Sequence, residues 1–291
     1  MRIAVVVPFL NEERFLPVSL DSILRQRRRP DRLFLVDDGS KDGSWAIAAA
    51  FADRHRFATA LRRPPRPPCV DRLATADELK AFLWTVQQID EPWDVVAKLD
   101  GDLRLNPETI AEIERRLEAD PGLGLAGSYL TEEGRTGAYT RLRIRAEHVH
   151  GATKFYRRAC WEQITPLPMI IGWDTIDEVR AQMMGWRTQS FEMPDGDPVH
   201  LRSRASYDGV ARGFRRSGAG AYVLGEHPLH VLLFSLRHAT GSPGPLGALN
   251  YLSGWVGAAL RRAPRAEPAL RAHIRRDELR RIRRRAVLLV H

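Results

Sequence analysis

Two carboxylates separated by one glycine are the clearest chemical signal in the sequence. Asp100-Gly101-Asp102 follows the largely apolar run from Trp93 to Leu99, so the pair comes just after a predicted buried strand, where a loop can turn both side chains towards one hard cation. Oxygen ligands suit Mg²⁺ or Mn²⁺, and such an ion neutralises a diphosphate leaving group as its bond breaks. A D-x-D motif on its own is weak evidence for a metal site.

Two further polar clusters follow apolar runs of the same kind. Asn11-Glu12-Glu13 comes after the run that ends at Pro8, and Asp37-Asp38-Gly39-Ser40 closes the run Arg32 to Val36. A carboxylate at a strand end can accept a hydrogen bond from a nucleotide base, although an acidic turn is an equally ordinary use of the second cluster.

Strand-like and helix-like segments alternate through the first hundred residues. Apolar runs at 2–8, 32–36, 57–61 and 93–99 predict strands, and segments at helical spacing between them predict helices, including 77–88. This alternation predicts an α/β, Rossmann-like doubly wound mixed sheet flanked by helices, which binds ligands beyond the carboxyl ends of its strands. Residues 131–145, rich in Gly, Thr and Arg, are expected to form a loop, and 173–186 a further helix.

Three motifs carry a resemblance to a known family. Val7-Pro8-Phe9-Leu10-Asn11-Glu12, Val36-Asp37-Asp38-Gly39-Ser40-Lys41-Asp42-Gly43 and Lys98-Leu99-Asp100-Gly101-Asp102 occur in the order, and at about the spacing, of family 2 glycosyltransferases of the GT-A fold. The resemblance covers roughly residues 1–205. It implies an inverting transfer of a sugar from a nucleoside-diphosphate donor, most often a UDP-sugar, to an acceptor hydroxyl that is lipid-linked or belongs to a cell-envelope polysaccharide.

The resemblance also implies roles for residues of these motifs. Pro8, Leu10, Glu12 and Asp38 are expected to line the nucleotide pocket, with Asp38 accepting a hydrogen bond from the base. Asp100 is expected to contact the donor, and together with Asp102 to hold Mn²⁺ or Mg²⁺.

An inverting transfer needs a base beside the acceptor hydroxyl, opposite the leaving diphosphate. Gly172-Trp173-Asp174-Thr175-Ile176-Asp177-Glu178 precedes a helical segment that ends in Gly185-Trp186, much as the acidic base motif of the family does. Asp174 lies where the catalytic aspartate of the family usually falls. Because the family normally has Glu-Asp where this chain has Trp173-Asp174, Asp177 stays an alternative, and either residue could instead cap the helix.

The predicted donor site is completed by a histidine and two arginines that come later in the chain than the candidate base. Many GT-A enzymes place a histidine on the metal in this region, and His200 can supply the imidazole. Arg202 and Arg204 can bind phosphate oxygens in the forked geometry of a guanidinium group, although surface arginines without a specific ligand are equally common.

Composition and charge describe how the chain is divided. The 291 residues carry a net charge of +9, and residues 261–291 hold 11 Arg against 3 acidic residues. We therefore expect a catalytic domain at 1–210 and a helical, Arg-rich extension at 211–291. The amphipathic tail from Ala269 to Ala286 is typical both of peripheral contact with a membrane and of a helix packed on the protein body. Its arginines are not interleaved with aromatic platforms, so nucleic acid is not an expected partner.

The two cysteines lack metal-ligand spacing and Met1 leads directly into a strand, which favours a cytoplasmic protein, peripheral on the inner face of the plasma membrane if the tail binds lipid. Two rival functions remain. A nucleotidyltransferase would use a similar sheet, but its glycine-rich phosphate loop is missing after the first strand. A non-catalytic nucleotide-binding scaffold on the same fold is the other alternative.

Overall fold

The computed structural model describes residues 1–65, 75–133, 139–202, 209–239 and 244–288. The chain divides into two compact units. The first comprises Met1–Met169 and Met184–Ser203, and the second comprises Ile170–Met183 and Arg204–His291. The chain therefore leaves the first unit after Met169 and returns to it at Met184, before the C-terminal region begins.

The strands and helices alternate in the first half of the chain, as the sequence predicts. The strands are β1 (Ile3–Phe9), β2 (Arg32–Asp37), β3 (Ala58–Arg62), β4 (Val95–Leu99), β5 (Leu103–Arg104), β6 (Leu123–Ser128), β7 (Thr131–Glu133), β8 (Tyr139–Arg141), β9 (Thr153–Arg157), β10 (Arg187–Phe191) and β11 (Val199–His200). The helices are α1 (Leu16–Leu24), α2 (Ser44–Arg54), α3 (Asp77–Val86), α4 (Thr109–Ala119), α5 (Arg158–Ile164), α6 (Trp173–Met183), α7 (Val210–Leu224), α8 (Pro228–Ala239), α9 (Pro245–Leu260) and α10 (Pro268–Leu288).

A mixed seven-stranded sheet forms the centre of the first unit. Its strand order is β10-β6-β9-β4-β1-β2-β3, and β9 runs antiparallel to its neighbours β4 and β6 while the other pairs are parallel. Every residue of β1 and of β4 is buried, which is the pattern of strands covered on both faces. The predicted α/β class with a mixed sheet is confirmed.

A second, smaller sheet has the order β5-β11-β7-β8. The sequence analysis expected a loop at 131–145, but β7 and β8 form short strands there. The reason is long-range pairing, because β7 pairs in parallel with β11 and that partner is remote in sequence. Local composition carries no signal of such a pairing.

The second unit is helical in its described residues. α6 contributes Ile176 and Val179 to a buried cluster with Leu224 of α7 and with Leu270 and Ile274 of α10. α6 lies within residues 1–210, yet it packs with the C-terminal helices; the domain limits at 210 and 211 stay a prediction.

α7 and α9 pack backbone against backbone. A Cβ atom added to Gly218 would lie 1.8 Å from the carbonyl oxygen of Tyr251, and one added to Gly254 would lie 1.9 Å from that of Arg215. Only glycine permits this approach. Among the described residues, no helix combines the length and the apolar character that crossing a membrane requires.

Close approach of β6 to β9 in the large sheet gives a first prediction. A Cβ atom on Gly127 would lie 2.2 Å from the carbonyl oxygen of Thr153, so Gly127→Ala must force the strands apart. We expect a loss of about 1–3 kcal/mol in the free energy of unfolding, measured by urea denaturation. Gly122→Ala is the matched control, since its Cβ would make only ordinary contacts, the nearest at 3.4 Å; equal losses in the two variants would contradict the prediction.

Candidate donor and metal site

The candidate site lies at the carboxyl ends of three adjacent strands. β1 pairs in parallel with β2 on one side and with β4 on the other, so Glu12, Asp38 and Asp100 follow strands that end at the same edge of the sheet. The backbone N–H of Asp38 donates a hydrogen bond to the carbonyl of Phe9 (2.9 Å). The carboxyl end of a parallel sheet is where α/β proteins bind ligands.

Asp100, Asp102 and His200 come together at this edge. One ligand atom from each lies within 4.8 Å of the others. Nε2 of His200 is 3.4 Å from Oδ1 of Asp102 and 3.9 Å from Oδ2 of Asp100. The sequence predicted these three residues as metal ligands, and the structure brings all three into one cluster.

The small sheet positions His200. In β11 this residue pairs with Leu103 of β5 and with Glu132 of β7, and the backbone N–H of Leu201 donates to the carbonyl of Asp102 (2.9 Å). Oε1 of Glu132 lies 3.9 Å from Nδ1 of His200. Two strands and a backbone hydrogen bond therefore fix the imidazole beside the carboxylates, and they bring a third carboxylate, Glu132, to it.

The chemistry of this cluster fits a divalent cation. Two carboxylates with one imidazole are ligands that Mn²⁺ and Mg²⁺ accept. Burial opposes protonation of His200, but its hydrogen bond to Asp102 and the charges of Asp102, Asp100 and Glu132 outweigh burial and raise the pKa of the imidazole. The negative field that attracts a proton would equally attract a metal ion.

Glu12 and Arg202 border the same cluster. Nη2 of Arg202 donates to Oε2 of Glu12 at 2.5 Å, and its Nε lies 3.6 Å from Oδ2 of Asp102. Burial first, and the charge of Asp102 second, raise the pKa of Glu12 to about 7, although Arg202 opposes the shift. Two of the predicted donor-binding residues thus contact each other directly beside the candidate metal ligands.

A buried lysine stands behind Asp100. Lys98 is 1% exposed, forms ion pairs with Asp100 and Glu78, and donates to the carbonyl of Gly151 (2.8 Å). The sequence analysis quoted Lys98 inside a motif but gave it no role. Side chains two residues apart on a strand point to the same side. The position of Lys98 two residues before Asp100 was therefore a signal in the sequence that the two side chains could meet.

The predicted nucleotide side contains one residue that the sequence analysis missed. Nη1 of Arg63, just after β3, donates to Oδ1 of Asp38 at 2.6 Å, and the Asp38 side chain is almost fully buried. Pro8 is buried in β1 and Leu10 is half-buried just beyond it. Arg63 follows the strand next to β2, so the rule that ligands bind at carboxyl strand ends could have identified it.

Asp37 has a structural use that differs from that of Asp38. Its Oδ1 accepts hydrogen bonds from the backbone N–H groups of Gly39 (3.2 Å) and Ser40 (2.7 Å), and its Oδ2 accepts from Arg62 (3.0 Å). This is an Asx-type turn. Of the two neighbouring aspartates, one builds the turn and the other faces Arg63.

The loops after β1 and β2 are tied together by polar contacts. Asn11 has φ = 53°, and its Oδ1 accepts from the backbone N–H of Lys41 (2.8 Å). The backbone N–H of Glu12 donates to Oγ of Ser44 (2.7 Å). Asparagine tolerates this left-handed conformation better than most residues, and the result is a fixed backbone for Glu12.

The predicted bases lie in the second unit. Asp174 is in the first turn of α6 and partly exposed, whereas Asp177 is fully buried and accepts a hydrogen bond from the backbone N–H of Glu178 (2.6 Å). Arg204 lies outside the described residues. The catalytic assignment of Asp174 or Asp177 therefore stays a prediction.

The fold is that of a GT-A glycosyltransferase, with a cluster of two aspartates and a histidine at the carboxyl edge of its large sheet. The Glycosyl transferase family 2 model matches residues 4–172, and the chain belongs to this family. The resemblance inferred from the three motifs is thereby confirmed.

Similar proteins bear the names of sugar transferases. The undecaprenyl-phosphate 4-deoxy-4-formamido-L-arabinose transferase of Pectobacterium carotovorum is 34% identical over 117 residues, which are 38% of this chain and 32% of that protein. The same transferase of Pectobacterium atrosepticum is 34% identical over 133 residues, 43% of this chain and 36% of that protein. The match spans about a third of the length of these curated relatives.

Solved structures share the fold at low sequence identity. A mannosyltransferase from Pyrobaculum calidifontis, in complex with GDP-Man and Mn²⁺, has a TM-score of 0.56 at 18% identity and covers 100% of this chain and 81% of that chain. TarS of S. aureus, residues 1–349 with UDP-GlcNAc, has a TM-score of 0.51 at 13% identity over 90% of this chain and 73% of that chain. These similarities support the GT-A fold.

Protonation of His200 gives a second prediction. Metal binding requires the neutral imidazole, and the pKa of His200 is raised. As pH falls, a larger fraction of molecules therefore carries a proton on His200, which a divalent cation must displace. We expect the apparent affinity for Mn²⁺ to rise with pH through this titration, with proton release detected by calorimetry in buffers of different ionisation enthalpy. His200→Gln is expected to weaken binding and to lose much of the pH dependence; a pH-independent affinity in the wild type would contradict this.

The buried ion pairs of Lys98 give a third prediction. Lys98→Met leaves the partly buried carboxylates of Glu78 and Asp100 without this cation, and loss of such a charged partner costs about 1–3 kcal/mol. Arg25→Met is the control, since Arg25 pairs with Asp21 and both side chains are more than half exposed, at 73% and 55%. We expect a large fall in the urea midpoint for Lys98→Met and a small one for the control; similar midpoints would show that Lys98 is dispensable.

Proposed function

We propose that this protein is a metal-dependent, inverting glycosyltransferase that moves a sugar from a nucleoside-diphosphate donor to an acceptor. The observation that carries the proposal is the cluster of Asp100, Asp102 and His200 at the carboxyl ends of β4 and β11. Family membership supplies the reaction class, and the cluster supplies the means of handling a diphosphate.

Each residue of the site has a use in this reaction. Asp100, Asp102 and His200 would hold Mn²⁺ or Mg²⁺, which supplies charge stabilisation for the departing diphosphate. Arg202, close to Asp102, offers a forked donor to phosphate oxygens once Glu12 releases it. Lys98 holds Asp100 from the buried side, so the carboxylate keeps its orientation before the donor binds.

The nucleotide would bind on the side of Asp38. Its carboxylate is held by Arg63 and nearly buried, so it can accept a hydrogen bond from a base N–H in a site of low dielectric constant. The loop at Glu12, fixed by Ser44, offers backbone groups to the ring. The choice of uridine over other bases follows only from the family resemblance, and the solved structures of similar fold contain both guanosine and uridine donors.

A polyprenyl phosphate is the acceptor that the relatives favour. The matched relatives are named for transfer to undecaprenyl phosphate. A phosphate acceptor is already anionic at neutral pH and needs no deprotonation, whereas a hydroxyl acceptor needs a base. Asp174, partly exposed in the first turn of α6, is the better candidate for that base than the fully buried Asp177.

The decisive experiment is titration calorimetry with a panel of nucleoside diphosphates and nucleotide sugars, with Mn²⁺ and with a chelator. We expect one nucleotide to bind tightly with Mn²⁺ and not with the chelator. Asp102→Asn should lose this metal-dependent binding. Asp53→Asn, an exposed aspartate on α2, is the control and should bind like the wild type. Absence of metal-dependent binding to every nucleotide would overturn the proposal.

Transfer itself distinguishes an enzyme from a scaffold. With the nucleotide identified, release of nucleoside diphosphate is measured with a polyprenyl phosphate and with hydroxyl acceptors, and the anomeric configuration of the product is read by NMR. We expect inversion, and a fall of about 100-fold or more in the rate for Asp102→Asn. Asp174→Asn should slow transfer to a hydroxyl and spare transfer to a phosphate. Tight binding without turnover on any acceptor would favour the scaffold, and pyrophosphate release from a nucleoside triphosphate would favour a nucleotidyltransferase.

A further inference from the structure

α8 exposes the face that an amphipathic helix normally buries. Leu229, Leu232, Leu233 and Leu236 recur at i, i+3, i+4 and i+7, a spacing that places them on one side of a helix, where they usually face the core. In this unit they are 41–56% exposed. The opposite side of the helix is the buried one, with Val231 at 3% exposure. The leucines of α8 are therefore about half exposed, although their spacing is that of a side that normally faces the core.

α9 repeats this arrangement. Leu246, Leu249, Val256 and Leu260 are 46–80% exposed, and at about 100° per residue they fall within an arc of about 80° on the helix. α9 packs on α7 through small residues instead, with Gly254 against the backbone of Arg215. The four leucines of α8 and Leu246, Leu249, Val256 and Leu260 of α9 are together called the apolar face, since the two helices pack against each other through a cluster that includes Val231 and Tyr251.

The chain segment that carries the apolar face has an excess of positive charge, although Glu278 of α10 contacts His230 of α8 (3.2 Å). Residues 209–266 contain seven arginines and a single acidic residue, Glu226, whose carboxylate already contacts His230 (3.1 Å) and Tyr251 (3.3 Å). Arg237 near the end of α8, and Arg261 and Arg262 just after α9, are exposed. The helices that carry the apolar face therefore have cationic ends and an almost complete absence of carboxylates.

This charge pattern discriminates between occupants of the apolar face. A second copy of the chain would bring its own arginines against these arginines, because a twofold interface pairs the same surface with itself. A protein partner would typically meet aromatic anchors, and every exposed member of the face is aliphatic. An anionic lipid surface offers both a medium for the leucines and counter-charge for the arginines.

The tail that the sequence analysis singled out has a different role. Leu270 and Ile274 of α10 are buried against α6 and α7, so this part of its apolar stripe is occupied by packing. The exposed apolar surface lies instead on α8 and α9, whose sequences resemble core helices. Neither helix is long enough or apolar enough to cross a membrane, so their geometry suits a position in the plane of the interface.

We propose that the apolar face of α8 and α9 is a docking surface for a membrane rich in anionic lipid, with the leucines inserted among the acyl chains and the arginines among the headgroups. This surface would hold the protein on the membrane. The proposal does not rest on the transferase reaction, because neither donor nor metal takes part in the contact.

The test is flotation of the full-length protein with vesicles of phosphatidylcholine, with and without phosphatidylglycerol, at low and high salt. We expect the wild type to float with the anionic vesicles and to be released in part by salt. Leu232→Gln/Leu236→Gln and Leu249→Gln/Leu260→Gln should each lower the partition coefficient about tenfold or more. Val18→Gln/Met184→Gln, which removes two exposed apolar side chains of the first unit, is the matched control and should float like the wild type.

Two outcomes would overturn the proposal. One is failure of the wild type to float with anionic vesicles, and the other is an equal loss in the control. Light scattering gives a third such outcome. If the wild type is a dimer that does not bind vesicles, and Leu249→Gln/Leu260→Gln is a monomer, the apolar face is an interface with a second copy of the chain.

A probe on a single residue avoids dependence on the glutamine variants. In a Cys69→Ser background, an environment-sensitive fluorophore on Leu233→Cys should shift to the blue on addition of anionic vesicles, and one on Met184→Cys should not. Equal shifts, or no shift at Leu233→Cys, would contradict docking through α8.

Discussion

Repulsion among carboxylates at one edge of the large sheet is the constraint on which the site depends. Asp100, Asp102 and Glu132 lie around His200, and Glu12 lies beside Asp102 across Arg202; like charges this close destabilise one another unless cations offset them. Three groups offset this repulsion: Lys98 pairs with Asp100, Arg202 contacts both Glu12 and Asp102, and the pKa of His200 is raised. A divalent cation bound among these carboxylates would relieve the same repulsion.

The sequence contained the centre of this site but not its surroundings. Asp100 and Asp102 were assigned because their motif occurs together with the two other family motifs, and His200 because many GT-A enzymes place a histidine on the metal in this region. Lys98 could have been assigned from alternation along its own strand, whereas the roles of Arg63 and Glu132 depend on which strands are neighbours. Glu132 meets His200 only through the pairing of β7 with β11, and no local pattern encodes a pairing between such distant segments.

The helical region shows a similar limit. The amphipathic tail was expected either to contact a membrane or to pack on the protein body, and α10 buries Leu270 and Ile274 by packing within the second unit. The leucines of α8, which recur at helical spacing, remain about half exposed. Periodicity reports that a helix has an apolar side; whether protein or another medium covers that side depends on the neighbouring helices, and here glycines let α7 and α9 pack without the large side chains.

The path of the chain between the two units has a consequence for modularity. Residues Ile170–Met183 belong to the second unit, although the first unit resumes at Met184 with β10 and with the strand that carries His200. No single cut can therefore separate the two units. A fragment ending at Ser203 would retain the metal cluster but leave Ile176 and Val179 without the α7 and α10 side chains that bury them, and a fragment beginning there would lack α6. Truncation or domain exchange in this protein must treat α6 as part of the C-terminal unit, because the backbone crosses between the two units three times.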